Sequence, residues 1–135
     1  MKELLISAVL FTTLCTVSFS QIGKVGINTT TPAAMLHVMD SSVLFSTTLN
    51  TLPGTPGNPP VSGAGIRTFW YPDKAAFRTG RVTGAQWDKI NTGNYSFAAG
   101  HNNTASGAQS FDIGNGNFAT GENTIATGSS NKANA

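Results

Sequence analysis

Cysteine and charge are what this 135-residue chain has least of: one cysteine, Cys15, and only 10% Asp, Glu, Lys and Arg together. Cys15 lies in an apolar N-terminal run and is expected to leave with it. Thr12 and Leu14 beside it do not suit a lipoprotein cleavage box, so neither disulfide nor thiol chemistry is expected of the mature chain. A formal net charge of +2 argues for neither a nucleic-acid groove nor an acidic membrane surface. Large apolar side chains are also sparse against 15 glycines and abundant Ser, Thr and Asn. A conventional globular core is therefore excluded, and order must come from backbone pairing and stacking, or from association.

Catalytic patterns are missing as well. No H-E-x-x-H, P-loop, G-x-S-x-G or cysteine pair occurs. Asp112 and Glu122 have no nearby histidine partner, and Gly114-Asn-Gly116 is an isolated glycine turn. His37 lacks a second ligand and reads as an ordinary strand residue. The calcium-binding nonapeptide needs recurring Asp after Gly, whereas Asp112 stands alone in the glycine-rich array. No catalytic, cofactor-binding or metal-binding residue is assigned, and the chain is not read as an enzyme. Asn-x-Ser/Thr triplets at Asn28, Asn94 and Asn102 are what an Asn-rich sequence produces readily.

What is present begins with residues 1–20, which read as a signal peptide. Lys2 opens it, Leu4 to Leu14 is apolar, and Ser18-Phe-Ser20 offers small residues for cleavage, giving Gln21 as the mature start. The apolar run is shorter than the ~20 residues a membrane span needs. A secreted or cell-surface protein with no stable membrane span after signal removal is expected.

Residues 21–50 form an N-terminal β segment. Val25 and Ile27 alternate, Thr31-Pro32 marks a turn, and Leu36-His37-Val38 resumes a strand; Asp40 to Asn50 is a further strand candidate through Val43, Leu44 and Phe45. The V-G-I-x-T-x-x-P-x-x-x-L-H-V pattern here resembles a segment found near the N-terminus of tail-fibre-like secreted bacterial proteins. Residues 51–65, rich in Pro and Gly, read as a linker and mark a boundary.

Residues 66–92 are the most aromatic part. Ile66 to Tyr71 reads as a strand, Pro72-Asp73-Lys74 as a turn, Ala75 to Arg78 as the return, and Thr79-Gly80 as a second turn before Val82; Gln86 to Ile90 suits one helical turn. Two roles compete. Trp70, Tyr71 and Trp87 would stack on sugar rings with Arg67, Arg78 and Asp88 bonding hydroxyls, or the same residues would plug the open end of a repeat array. The plug is preferred, because adjacent Trp70 and Tyr71 in a strand point to opposite faces.

That array is residues 93–134, where one 14-residue unit is written three times: GNYSFAAGHNNTAS, GAQSFDIGNGNFAT and GENTIATGSSNKAN. Gly93, Gly107 and Gly121 align, as do Gly100, Gly114 and Gly128; Ser96, Ser110 and Thr124; Phe97, Phe111 and Ile125; Asn103, Asn117 and Asn131; Ala105, Ala119 and Ala133. Helical repeats need roughly 30 or more residues per unit, and each recurring Gly would cost a helix about 1 kcal/mol relative to Ala. Two short strands and two turns fit instead, and identical positions would stack ~4.7 Å apart along a solenoid. The aligned asparagines would bond one another in a ladder.

Ser96-Phe-Ala98-Ala-Gly100, Ser110-Phe-Asp112-Ile-Gly114 and Thr124-Ile-Ala126-Thr-Gly128 resemble the S-x-A-x-G head repeat of trimeric autotransporter adhesins, the YadA-like head. The resemblance implies a left-handed parallel β-roll, an all-β fold class, and a homotrimer. It further implies an adhesive or fibre role at a bacterial surface with an extracellular matrix, host or glycan ligand. Asp112 departs from the small apolar residue of that family and would be a buried carboxylate if its column faces inward. A secreted carbohydrate-binding module and a purely structural segment of a longer fibre are the alternatives.

Overall fold

A computed structural model describes Ser20, Gln21 and residues 23–134. The expected signal peptide, Met1–Ser20, lies outside the described residues except for Ser20. The chain divides into two units, Met1–Leu44 and Phe45–Ala135.

In the first unit β1 (Ser20–Gln21), β2 (Lys24–Ile27) and β3 (Leu36–Val38) form a sheet in that order, β1 antiparallel and β3 parallel to β2. The parallel return is short because the chain doubles back at once. Asn28 adopts φ 60°, and a Cβ at Gly26 would collide with the Thr29 carbonyl. His37 is a strand residue whose Nδ1 accepts the Ala33 N–H at 3.2 Å, bracing this turn. The strand expected within Asp40 to Asn50 does not form: Val43, Leu44 and Phe45 are exposed, with no neighbouring strand to pair their backbone.

The second unit is an all-β parallel β-roll solenoid of 14-residue coils, preceded by a hairpin. Its strands are β4 (Gly65–Tyr71), β5 (Ala76–Val82), β6 (Phe97–His101), β7 (Thr104–Ala105), β8 (Phe111–Asn115), β9 (Phe118–Ala119), β10 (Ile125–Ser129) and β11 (Lys132–Ala133). A long sheet in the order β10-β8-β6-β5-β4 forms one wall and a short sheet, β11-β9-β7, another. Every pair between coils is parallel and in register, Phe97 on Phe111 and Phe111 on Ile125, so the sequence period becomes a spatial column. Only the β4–β5 hairpin, closed by a 3-10 turn at Pro72–Lys74, is antiparallel in this sheet.

Two glycine columns let the backbones approach this closely. A Cβ at Gly93 or Gly107 would sit inside the carbonyl of the next coil's first glycine, and one at Gly100 or Gly114 inside that of its second. Coil corners place Tyr95, Gln109 and Asn123 at φ 58°, 56° and 57°, and Asn102, Gly116 and Ser130 at 55°, 67° and 56°.

The interior holds small and polar residues. Ala98, Ala105, Ala119 and Ala126 are buried beside Ser96, Ser110, Thr124, Asn103 and Asn117. Ser96 Oγ donates to the Gly93 carbonyl at 2.6 Å and Ser110 Oγ to that of Gly107 at 2.7 Å. The asparagine column is a ladder of a different kind from the amide-to-amide one expected. Asn103 Nδ2 donates to the Ala99 and Gly114 carbonyls at 2.5 and 2.8 Å, and its Oδ1 accepts the Asn117 peptide N–H at 3.0 Å. Asn117 repeats this toward Ile113, Gly128 and Asn131. Each asparagine side chain thus ties the strand preceding it to the strand and corner of the next coil.

Three further expectations are corrected. Thr79-Gly80 is not a turn: β5 runs straight through Gly80 (φ 123°), which pairs with Gly100 and meets its carbonyl as the repeat glycines meet theirs. The helical turn expected over Gln86 to Ile90 lies instead at Lys89–Asn91 as a 3-10 turn. The Pro/Gly stretch 51–65 is not where the chain divides. Gly57 donates to Asp73 Oδ2 at 2.7 Å and accepts from the Tyr71 hydroxyl, while Gly63 donates to Asp88 Oδ1 at 2.7 Å. Such bonds tie the stretch into the second unit.

Candidate functional site

Trp87 lies at the start of the coil stack and is wholly buried, its indole N–H donating to the Asn103 carbonyl at 3.1 Å. Phe69 meets it edge-on at 6.2 Å, and the Arg67 guanidinium lies over both rings, 5.8 Å from Phe69 and 5.6 Å from Trp87. Arg67 is fixed by its Nη2 bond to the Gly63 carbonyl at 2.6 Å. Tyr71 and Arg78 are also wholly buried, and Asp88 is engaged with Gly63. Of the six residues considered for sugar binding, three are therefore inaccessible, and Trp70 alone of the three aromatics keeps an exposed edge. Alternation in β4 sends Trp70 and Tyr71 to opposite faces.

Arg78 enters the first coil from β5. Its Nη1 donates to the Phe77 and Ser96 carbonyls at 2.8 and 3.0 Å, and its Nη2 to Ser96 Oγ and the Ala105 carbonyl at 2.8 and 3.0 Å. Burial lowers its pKa to about 10, opposed by the charge of Asp112, so the guanidinium stays a cation at neutral pH. Asp112 faces inward in the next coil, buried between Ala98 and Ala126. Neither of its oxygens receives a hydrogen bond of ordinary geometry. Burial raises its pKa; Asn117, the Thr104 peptide and Arg78 oppose that rise without cancelling it.

One column of the outward face of the long sheet is apolar, while the columns beside it also carry Thr79, Arg81, His101, Asn115, Thr127 and Ser129. Phe77, Phe97 and Phe111 stack with centroids 5.5 and 5.1 Å apart and planes 15° and 17° from parallel. Ile125, 69% exposed, continues the column, and Ile113 lies on the same face two residues beyond Phe111. On the short sheet, Phe118 is 40% exposed with the Lys132 ammonium 5.8 Å from its ring centroid.

Asp112 is interior whereas Glu122 is exposed. Among the described residues no group of three or more His, Cys, Asp or Glu gathers as a metal site, and no helix is long and apolar enough to cross a membrane.

Sequence reasoning missed that Phe77-Arg-Thr-Gly-Arg81 stacks on Phe97-Ala-Ala-Gly-His101 as a further coil strand. The shared Phe and Gly were a signal, hidden because 20 residues rather than 14 separate the two strands. No protein-family model, curated protein or solved structure matches this chain.

Proposed function

We propose that this chain is a structural and adhesive module of an exported bacterial surface or fibre protein, its coils forming a YadA-like head that assembles as a homotrimer. The observation that carries this reading is the outward column of Phe77, Phe97, Phe111 and Ile125, with Ile113 beside it. Exposed apolar surface that continues from coil to coil is the mark of a contact face. The interior supports the same reading from the other side: filled with Ala, Ser, Thr and Asn, it buries little apolar area to set against ~1 kcal/mol or more of backbone entropy per residue. Packing three outer faces together would add the missing burial. The remaining exposed columns present a regular array of Asn, Ser and Thr to an extracellular matrix, host or glycan ligand, and binding grows with the number of copies engaged.

N-terminal sequencing of material recovered from the cell surface or medium tests the placement. A chain beginning at Gln21 is expected. Recovery of intact chain beginning at Met1 from the cytoplasm alone would contradict it.

A further inference from the structure

Tyr95 is the wrong residue for its corner. Its equivalents in the next two coils, Gln109 and Asn123, share its left-handed backbone at φ 56° and 57°, against 58° for Tyr95 itself. Asn tolerates this conformation, whereas an aromatic residue there is disfavoured. The ring does not repay the strain by packing, since Tyr95 is 56% exposed. Strain of this kind gathers where a ligand is held.

Beside Tyr95 is a cavity of about 180 Å³, walled by Trp70, Tyr95, Leu49, Leu52 and Pro72, with Asn50 and Thr51 also lining it. The polar tips of the other large aromatics are used internally: the Trp87 indole N–H binds the Asn103 carbonyl, and the Tyr71 hydroxyl that of Gly57. Among the described residues, no hydrogen bond uses the Trp70 indole N–H or the Tyr95 hydroxyl. Two aromatic side chains thus line one small space.

We propose that this cavity binds one ring of a neutral saccharide. A pyranose presents C–H faces to aromatic walls and hydroxyls to their polar tips, as concave apolar sites with a few placed polar groups require. No charged residue lines the cavity, so an ionised ligand would lose water without gaining a counter-charge. Its volume suits a single ring rather than an extended peptide, which needs a groove with several pockets. The site borders the hairpin end of the outward column, Trp70 standing opposite Phe77 across β4 and β5, and the proposal does not rest on trimer assembly.

Tryptophan fluorescence reads the test, because the chain has two tryptophans and Trp87 is wholly buried. The mature chain is titrated with methyl glycosides of glucose, galactose, mannose and N-acetylglucosamine and with their oligosaccharides. At least one is expected to give a saturable change, with Kd raised tenfold or more in Tyr95→Asn by fluorescence and in Trp70→Ala by isothermal titration calorimetry, since that variant lacks the reporting indole. Tyr95→Asn is expected to melt at or above the wild-type Tm, because Asn suits the corner. The proposal is overturned if no sugar saturates, if Tyr95→Asn binds as wild type does, or if its loss of binding comes with a lowered Tm. Displacement of bound sugar by a proline-rich peptide at lower concentration would also overturn it.

Discussion

Arg78 and Asp112 occupy one interior column of the coil stack, two strands apart with Ala98 between them, and both are wholly buried. Parallel strands lie about 4.8 Å apart, so the guanidinium is held one coil away from the carboxylate. Its hydrogen bonds go to Ser96, Phe77 and Ala105 instead. The column thus contains a cation whose Nη1 and Nη2 are hydrogen-bonded while its Nε is not, and an acid with neither oxygen bonded.

The acid sets a pH dependence. Burial raises the Asp112 pKa in the folded chain, so the fold binds this proton more tightly than the unfolded chain does. Its contribution to stability is greatest below the ordinary carboxylate pKa of about 3.9 and is lost as pH rises through the raised value. Asp112→Ala, which restores the residue of its column neighbours, is expected to stabilise the fold at pH 8 by about 1–3 kcal/mol and to flatten the acid limb. Thermal melts between pH 3 and 8 check this, and a variant less stable than wild type at pH 8 would contradict it.

Asn117 ties three backbone groups of two coils together. Asn117→Ala removes three part-buried hydrogen bonds to the Ile113 and Gly128 carbonyls and the Asn131 N–H, each contributing about 0.5–1.5 kcal/mol. A loss of at least about 2 kcal/mol in urea unfolding is expected. Asn131→Ala, in the exposed last coil, is expected to cost less than about 1 kcal/mol. Equal losses at the two positions would contradict the ladder.

Two glycines with opposite roles make a third comparison. Gly107→Ala drives a Cβ into the Gly121 carbonyl, which no side-chain movement relieves. A loss of more than about 3 kcal/mol is expected. Gly116 has only Ser130 Oγ nearby, at 3.9 Å, and shares its corner with Asn102 and Ser130. Gly116→Asn is expected to fall within about 0.5 kcal/mol of wild type. Circular dichroism melts of the pair check both, and the reverse ranking would refute close backbone stacking.

The solenoid was legible because stacking demands the same residue type at the same column in every coil. Gly for close approach, Asn for bonding the backbone of its own and the next coil, and Ala for a narrow interior therefore recur every 14 residues. The direction of Asp112 was left open by the sequence, and the structure places it inward between Ala98 and Ala126. What could not be read rests on contacts between dissimilar segments. Tyr71 binds Gly57 and Asp88 binds Gly63 across 14 and 25 residues of sequence with no repeating pattern to announce them. That β5, read only as a return strand over Ala75 to Arg78, also stacks on the first coil escaped for a related reason: the turns over residues 83–92 lengthen its interval and hide the period. The Trp70 and Tyr95 cavity needed the corner geometry to be seen.

Association through the outer face is the central claim, and sedimentation equilibrium of the chain beginning at Gln21 tests it most directly. Wild type is expected at three times the chain mass, and the Phe111→Asp, Ile113→Asp double variant as a monomer with reduced stability. A wild-type chain that is folded and monomeric across the whole concentration range would contradict the account.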